Sequence, residues 1–478
     1  MVIKSPASSA LRRPMTRPRQ RGQAVIWLLG TMAASAAVLY AVFNVGQITT
    51  AKAKTVNAAD AAALAGATVE ARMLNLVAYN NRSMIANEVL LIQMLSLESW
   101  LGYFYETAQN IGIVLDITVV LAEVGAFLEE TSTVAQQLRD DVVKPLNDVL
   151  IAALEVVKTG MAVEHAAVLT AGGALAENAA SNVVAANRSA FGVHADAGVQ
   201  LDNRGPVRAL TFVANNARWN AFTRRYTGNN RTDARQILLD SRDDFSTNRP
   251  GQGPFNLNLG LVGLTKLGGS TLQGFNRWET EDTWELWEWT GKRHYQPVGW
   301  GRANADQRGN SGSTWSPNRT AQTLARADGT NHSHRGWSGV PSVYDIADKR
   351  AASRAALGVD FVVAVRRPQA NTMTSTSMGM GLAQNQPFGS SEMPERLQAN
   401  ELSAVAKARV SFERPQRNNA DRTANTLFRA DSAKEYGSLF SPYWQARLVD
   451  MTVVEKAAML TAMGINPLME PFTPGGQP

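Results

Sequence analysis

Residues 24–67 read AVIWLLGTMAASAAVLYAVFNVGQITTAKAKTVNAADAAALAGA, and the character of the stretch changes once, near residue 50. Gly22 to Ala51 hold no charged residue, and Ala24 to Ile48 are mostly Ala, Val, Leu, Ile, Trp, Tyr and Phe. As a helix, Ala24 to Ile48 would reach roughly 37 Å, enough to cross a hydrocarbon layer of ~30 Å with some tilt. Ala24, Trp27, Leu28, Tyr40, Phe43 and Ile48 mark this expected transmembrane helix. Trp27 stands where an interfacial aromatic belongs, whereas Tyr40 falls inside the span and suits packing on a partner helix. The competing reading is a cleaved secretory signal, with Arg12 and Arg13 as a twin-arginine pair and Ala34 and Ala36 mimicking a cleavage site. The apolar run exceeds the usual signal core of about 7–15 residues, so a retained anchor is preferred.

Charge orients the anchor. Lys4, Arg12, Arg13, Arg17, Arg19 and Arg21 precede it with no acidic residue among them, and the next basic residues are Lys52 and Lys54. A basic stub on one side predicts a cytoplasmic N-terminus, a single pass through a bacterial inner membrane, and a periplasmic bulk. The whole chain has 47 Lys and Arg against 41 Asp and Glu, for a net charge of +6. Removing the six residues of the stub leaves 41 against 41, so the body is balanced and nucleic acid is not an expected partner. There is no cysteine, which excludes disulfides, thiolate metal sites and cysteine nucleophiles.

Beyond the anchor, Lys52-Ala-Lys-Thr-Val-Asn-Ala-Ala-Asp-Ala-Ala-Ala-Leu-Ala-Gly-Ala67 is a strong helix former and should continue the membrane helix into the aqueous space. Its small side chains allow close helix contact, and on pattern alone Asn57 and Asp60 face water. The preceding Arg-Gly-Gln, the apolar helix and the run containing Asn57, Ala58, Asp60, Ala63, Leu64 and Gly66 resemble, over about residues 18–70, the TadG/TadE-like proteins of Flp (tight adherence, Tad) pilus assembly. The resemblance implies a non-enzymatic envelope protein, with other pilus-assembly or pilin-like proteins as partners and no cofactor. Two departures accompany it. Pilin-like precursors are cut after a Gly and carry Glu at the fifth mature position, whereas a cut after Gly22 would put Trp27 there. Many TadG proteins resemble von Willebrand A domains with an Asp-x-Ser-x-Ser metal motif, and the nearest piece here, Asp244-Phe-Ser-Thr-Asn248, lacks the last Ser and the strand before it. No metal site is carried over. A further likeness, to the closing segment of long Tad-like proteins, lies in Ala404–Pro415 and Leu439–Leu448.

The rest predicts an α+β body. Residues 68–190 read as several antiparallel helices punctuated by Gly102, Gly112, Gly125, Pro145, Gly160 and Gly172-Gly173. Within them Val134, Leu138, Val142, Leu146, Val149, Leu150, Leu154 and Val157 form one apolar stripe, expected to be intramolecular core. Residues 205–245 read as another helical stretch, a solvated face in which Arg208, Arg218, Arg224, Arg225, Arg231 and Arg235 pair with nearby Asp233, Asp240, Asp243 and Asp244. Alternation from Phe255 to Leu261 and the run from Trp278 to Trp300 predict strands, seven of the eleven tryptophans falling between 278 and 337. Trp284, Trp287 and Trp289 among Glu279, Glu281, Asp282, Glu285 and Glu288 offer a surface for glycan or peptidoglycan. Carboxylates this close on one strand do not set the separation that glycoside hydrolysis needs. His332 and His334 would point the same way on a strand, but Gly329, Gly336 and Gly339 suggest a loop and surface histidines. Val359–Val365 and 404–412 read as strands able to pair, and Val453–Met463 as a short helix closed by Gly464.

The chain is therefore expected to divide into a basic stub (1–22), a transmembrane helix (23–49), a helical region with the Tad-like motif (50–190), a mixed region with a Trp-rich β-unit (191–365), a flexible linker (366–400) and a closing strand, loop and helix (401–478). The expected function is a non-enzymatic, membrane-anchored component of a Flp/Tad-type pilus assembly or secretion apparatus, with no catalytic or metal-binding residue. The alternatives are a membrane-tethered glycan-binding or glycan-hydrolysing protein and a processed minor pilin.

Overall fold

The computed structural model describes residues 23–116, 122–189, 198–251, 255–309, 319–350, 357–368, 401–413 and 436–464. The basic stub, Gly22 and most of the expected linker lie outside them.

One helix, α1 (Gln23–Asp116), runs for 94 residues, roughly 140 Å, because nothing in it stops an α-helix. It contains no proline, and its glycines are tolerated singly. Helix α2 (Ala122–Gln137), a π-helical turn (Leu138–Val143) and α3 (Lys144–Ser189) return antiparallel along it. Gln109 Nε2 donates to Ser132 Oγ at 2.8 Å, Asn147 Nδ2 to Glu98 Oε2 at 2.5 Å, and Asn80 Nδ2 to Glu164 Oε2 at 3.0 Å.

After α3 the order is β1 (Gln200–Leu201), α4 (Gly205–Arg208), α5 (Ala214–Phe222), β2 (Thr223–Tyr226), α6 (Thr232–Asp240) and α7 (Asp244–Thr247). Then follow β3 (Asn256–Asn258), β4 (Val262–Gln273), β5 (Arg277–Trp289), β6 (Arg293–Asp306), α8 (Arg319–Asn331), β7 (Ser333–His334) and β8 (Val343–Ile346). The chain continues with β9 (Gly358–Pro368), β10 (Glu401–Phe412), β11 (Trp444–Leu448) and α9 (Val453–Ala462). Strands assemble as β1-β9-β10-β11, as β3-β4-β5-β6-β7 and as the pair β2-β8. The anticipated pairing of 359–365 with 404–412 is present, antiparallel, with Val363 opposite Ala406 and Phe361 opposite Ala408.

Two cores lie along α1. Ala58, Ala59, Ala62, Ala63, Ala67, Ala71, Leu74 and Val77 pack against Phe361, Val363, Ala406, Ala408 and Val410 of the β9–β10 pair and against the end of α3. Further along, Met84, Leu91, Ile92 and Leu95 pack against Leu272, Trp278, Ala303 and Ala305 of β4–β6. The α+β class stands, with α1 as the common spine of both sheets.

Several expectations are corrected. Gly102, Gly112, Gly160 and Gly172-Gly173 do not end helices. A Cβ on Gly172 would lie 2.5 Å from the Trp219 ring, and one on Gly112 2.9 Å from Glu129 Cγ, so these two mark close approach rather than breaks. The stripe on α2 and α3 is not core. Leu154 is buried, but Val134, Leu138, Val142, Leu146, Val149 and Val157 are exposed, because the π-helical turn, through Val143, and α3, through Ile151, Leu154 and Leu169, turn a different face toward α1. The stretch 205–245 is interrupted by β2, which pairs with β8.

Candidate membrane anchor and docking helix

The apolar part of α1 stands apart from everything else. Among the described residues it is the one helix long and apolar enough to cross a membrane, and none of its most apolar window is buried. Trp27 is 75% exposed and Leu28 59%; Phe43 is at 36%, while Ala24 is exposed and Tyr40 half-buried. Among the described residues Asn44 is the first of α1 to be buried, and Ile48 and Ala51 are buried against Leu402 of β10. Ile48, expected within the span, thus belongs to the body. The run from Ala24 to Phe43 is 20 residues, or ~30 Å of helix, the thickness of a hydrocarbon layer.

From Lys52 on, α1 is fixed to the first sheet. Lys52 Nζ donates to the Ser403 carbonyl at 3.3 Å, and the Asn75 side chain makes a reciprocal pair with the Trp444 backbone at 2.9 and 3.0 Å. Within the motif, Ala58, Ala63 and Gly66 are buried and Asn57 and Leu64 are exposed. The small side chains therefore serve close packing on the chain's own sheet and on the end of α3. A Cβ on Gly66 would sit 2.5 Å from Cζ of Phe361. Val56, Asn57, Ala61 and Leu64 form the opposite, exposed face.

Asp60 is half-buried, not fully solvated, and burial pushes its carboxyl above the usual range. It lines a recess of about 600 Å³ with Lys407, Leu448, Lys456, Met459 and Met463, between α1, the β10–β11 edge and α9. Sequence patterning missed this recess because its walls come from positions about 350 to 400 residues from Asp60. One turn beyond Gly66, Glu70 is fully buried with neither carboxylate oxygen hydrogen-bonded, and burial raises its pKa to about 8.

The Trp-rich unit does not form the expected surface. Trp284 and Trp287 are each only 7% exposed, Trp284 Nε1 donating to the Phe255 carbonyl at 3.1 Å and Trp287 lying under Arg293. Trp289 alone of the three is exposed, since it sits where β5 leaves the sheet. Four of the five carboxylates, Glu279, Glu281, Asp282 and Glu285, turn inward as well, and Glu288 stays exposed. Asp282 accepts from Arg249 at 2.7 Å, Lys266 at 2.8 Å and Ser99 at 2.9 Å, and these cations hold it below the usual carboxylate range despite its burial. Glu285 caps the start of α8, accepting from the Thr320 and Ala321 amides at 2.5 and 2.6 Å.

His332 and His334 are buried, contrary to expectation, because β7 adds to the edge of β6 beneath α1 and α3. They do point the same way. His332 Nδ1 and His334 Nε2 each lie 2.8 Å from a separate oxygen of Glu98, and His334 Nδ1 is 2.7 Å from Asp148. Burial opposes the charge on Glu98, but the two imidazoles outweigh it and draw its pKa down to about 2. Burial would lower His334, yet Glu98 and Asp148 raise it overall. Among the described residues no group of three or more His, Asp or Glu is placed to hold a metal ion. Asp243-Asp244 opens the short helix α7, with Asp243 capping Ser246.

The arginines of 204–245 also find partners other than those expected. Arg208 pairs with Glu177, Arg235 and Arg242 donate to carbonyls of Leu272, Gly274 and Ser270, and Asp233 pairs with Lys349. Trp219 is buried, its Nε1 donating to the Leu169 carbonyl at 2.7 Å.

These features define a class: an α+β chain whose first helix leaves an apolar segment outside the fold and continues as the spine of the body. Residues 22–69 match the Tad family model, described as Flp pilus-assembly TadE/G-like. The match takes in the apolar segment and the motif, and ends just before Glu70. The N-terminal region, residues 22–69, is thus similar to TadE/G-like proteins. Comparison with curated proteins finds no match, and neither does comparison with solved structures.

Proposed function

We propose that this protein is a non-enzymatic, single-pass component of a Flp/Tad-type pilus assembly or secretion apparatus, anchored in a bacterial inner membrane with its N-terminus cytoplasmic and its body periplasmic. The observation that carries the reading is the coincidence of the TadE/G-like match with an apolar helical segment, none of whose most apolar window is buried, that passes without a break into the buried spine of the body. An unbroken helix is a stiff connection, so a lateral or axial displacement of the anchor would be transmitted to both sheets. The exposed motif face of Val56, Asn57, Ala61 and Leu64, just outside the lipid, is the surface offered to other assembly or pilin-like proteins.

Alkaline carbonate extraction and reporter fusions test the topology. Full-length protein should stay with the membrane, and fusions beyond residue 70 should report from the periplasm. Photocrosslinkers at Asn57 and Leu64 should capture other components of the apparatus, whereas one at the exposed Gln236 on α6 should not. Release by carbonate, or reporters active only in the cytosol, would remove the proposal.

A further inference from the structure

The surface of α2 and α3 turned away from α1 carries a regular apolar line. Phe127, Val134, Val142, Val149, Val156 and Val163 are exposed by 65, 59, 52, 66, 73 and 65%. Their spacing is seven residues at every step except the eight between Val134 and Val142. That step crosses the π-helical turn Leu138–Val143, and a π-turn takes up about one residue more than an α-turn. All six side chains therefore stay on one exposed face, which winds by only about 20° per seven-residue step. A sustained seven-residue repeat is the spacing that holds side chains against a second helix over many turns.

Alongside run Leu146, Ala153, Gly160 and Ala167, again seven apart and exposed. Gly160 is telling. Nothing lies within 4 Å of where its Cβ would stand, so within one chain it costs the helix about 1 kcal/mol without serving any contact. Against a second helix the missing Cβ permits close approach.

We infer that this face is a self-association seam, α2–α3 of one chain packing parallel and in register along α2–α3 of a second copy. Three arguments select the second copy. The seam positions carry no charge, so pairing like with like desolvates no ion and sets no like charges together. From Phe127 to Val163 the line is roughly 54 Å long; with a contact about 10 Å wide it buries about 1,000 Å² over both copies, the lower bound for a specific interface. The repeat itself also supplies the matching partner helix. The parallel arrangement rests on the proposed anchor, since two copies held in one membrane have their α3 helices pointing the same way.

The absence of native cysteine makes the test direct. Val156→Cys in the full chain, in membrane vesicles oxidised with copper phenanthroline, should give a product of twice the monomer mass. Asp141→Cys, exposed to the side of the line, should stay monomeric. In detergent, the Val149→Glu, Val156→Glu double variant should show half the wild-type mass by light scattering with an unchanged circular dichroism spectrum, both sites being exposed. A monomeric wild type, an unaltered mass in the double variant, or a Val156→Cys product of any other mass overturns the seam. Carbonate washing of the same vesicles separates the two proposals. Release with crosslinking retained refutes the anchor alone, and retention without crosslinking refutes the seam alone.

Discussion

Gly66 of α1 lies against the ring of Phe361 on β9 so closely that a single added carbon would stand 2.5 Å from Cζ. Phe361 is fully buried, with the ring of Phe212 at 6.4 Å beside it, and has little room to yield. The motif glycine thus sets how near the spine can approach its sheet. Gly66→Ala should destabilise the body by about 1–3 kcal/mol, the usual cost of overpacking a filled core, despite the better helix propensity of Ala. Thermal or urea unfolding of the full chain in detergent measures it. Phe361→Leu combined with Gly66→Ala should recover part of the loss.

Glu70 leads to a pH effect of defined sign. Its pKa is about 8 in the fold against an ordinary 4.5, so the folded protein holds a proton that the unfolded chain releases. Stability should fall as pH rises from 4.5 to 8 and level off above that. Glu70→Gln should raise the unfolding temperature at pH 8 and leave it almost unchanged at pH 4. An equal change at both would mean that the carboxyl is not desolvated.

The Glu98 group behaves in the opposite sense on its acid side. With its pKa drawn to about 2, Glu98 contributes stability that is present above 4.5 and lost as pH falls through 2. His334, raised above 6.5, contributes below that value and loses its contribution as pH climbs through its folded pKa. This network is therefore strongest between about pH 4.5 and 6.5. Glu98→Gln, which leaves the buried His334 with only the exposed Asp148 as counter-charge, should cost about 3–5 kcal/mol at pH 6, the usual penalty for breaking a buried ionic contact. Unfolding curves at pH 6 and pH 9 check it, with the smaller difference expected at pH 9.

Asp282 is the anion between Arg249 and Lys266, and all three are buried. Removing it leaves two cations without their counter-charge. Asp282→Ala should destabilise by about 3–5 kcal/mol, and Asp282→Asn by less because it keeps acceptor capacity. Denaturant titration of the three proteins compares them.

Thr452 closes a capping box at the start of α9, its hydroxyl accepting from the Glu455 amide while Glu455 reaches back to the Thr452 amide. Thr452→Ala should cost α9 about 1 kcal/mol. Hydrogen exchange should quicken in α9, whose Met459 and Met463 wall the recess beside Asp60, and stay unchanged in α3.

What the residues announced and what they concealed divides along the range of the interactions. The apolar run, its flanking charges, the alanine-rich motif, the β9 and β10 strands and the capped α9 all rest on neighbours a few positions apart, where propensity and periodicity act. His332 and His334 looked like loop residues because their partners, Glu98 and Asp148, are more than 180 residues away in the chain. The same holds for Trp284 and Trp287, whose burial follows from the sheet edges and loops laid over them. The stripe on α2–α3 was legible as a stripe, but nothing local distinguishes an inward face from an outward one.

By itself, the sequence determined that one uncharged helix of membrane length precedes a charge-balanced, cysteine-free α+β body, because length, charge and helix-forming tendency are properties of consecutive residues. Only the tertiary structure decided that the motif's alanines and glycine press on the chain's own sheet, that Glu279, Glu281, Asp282 and Glu285 of β5 are internal, and that Val149, Val156 and Val163 of α3 face outward. Each of those outcomes depends on which surfaces pack against α1, and burial against a distant strand is a choice made in space.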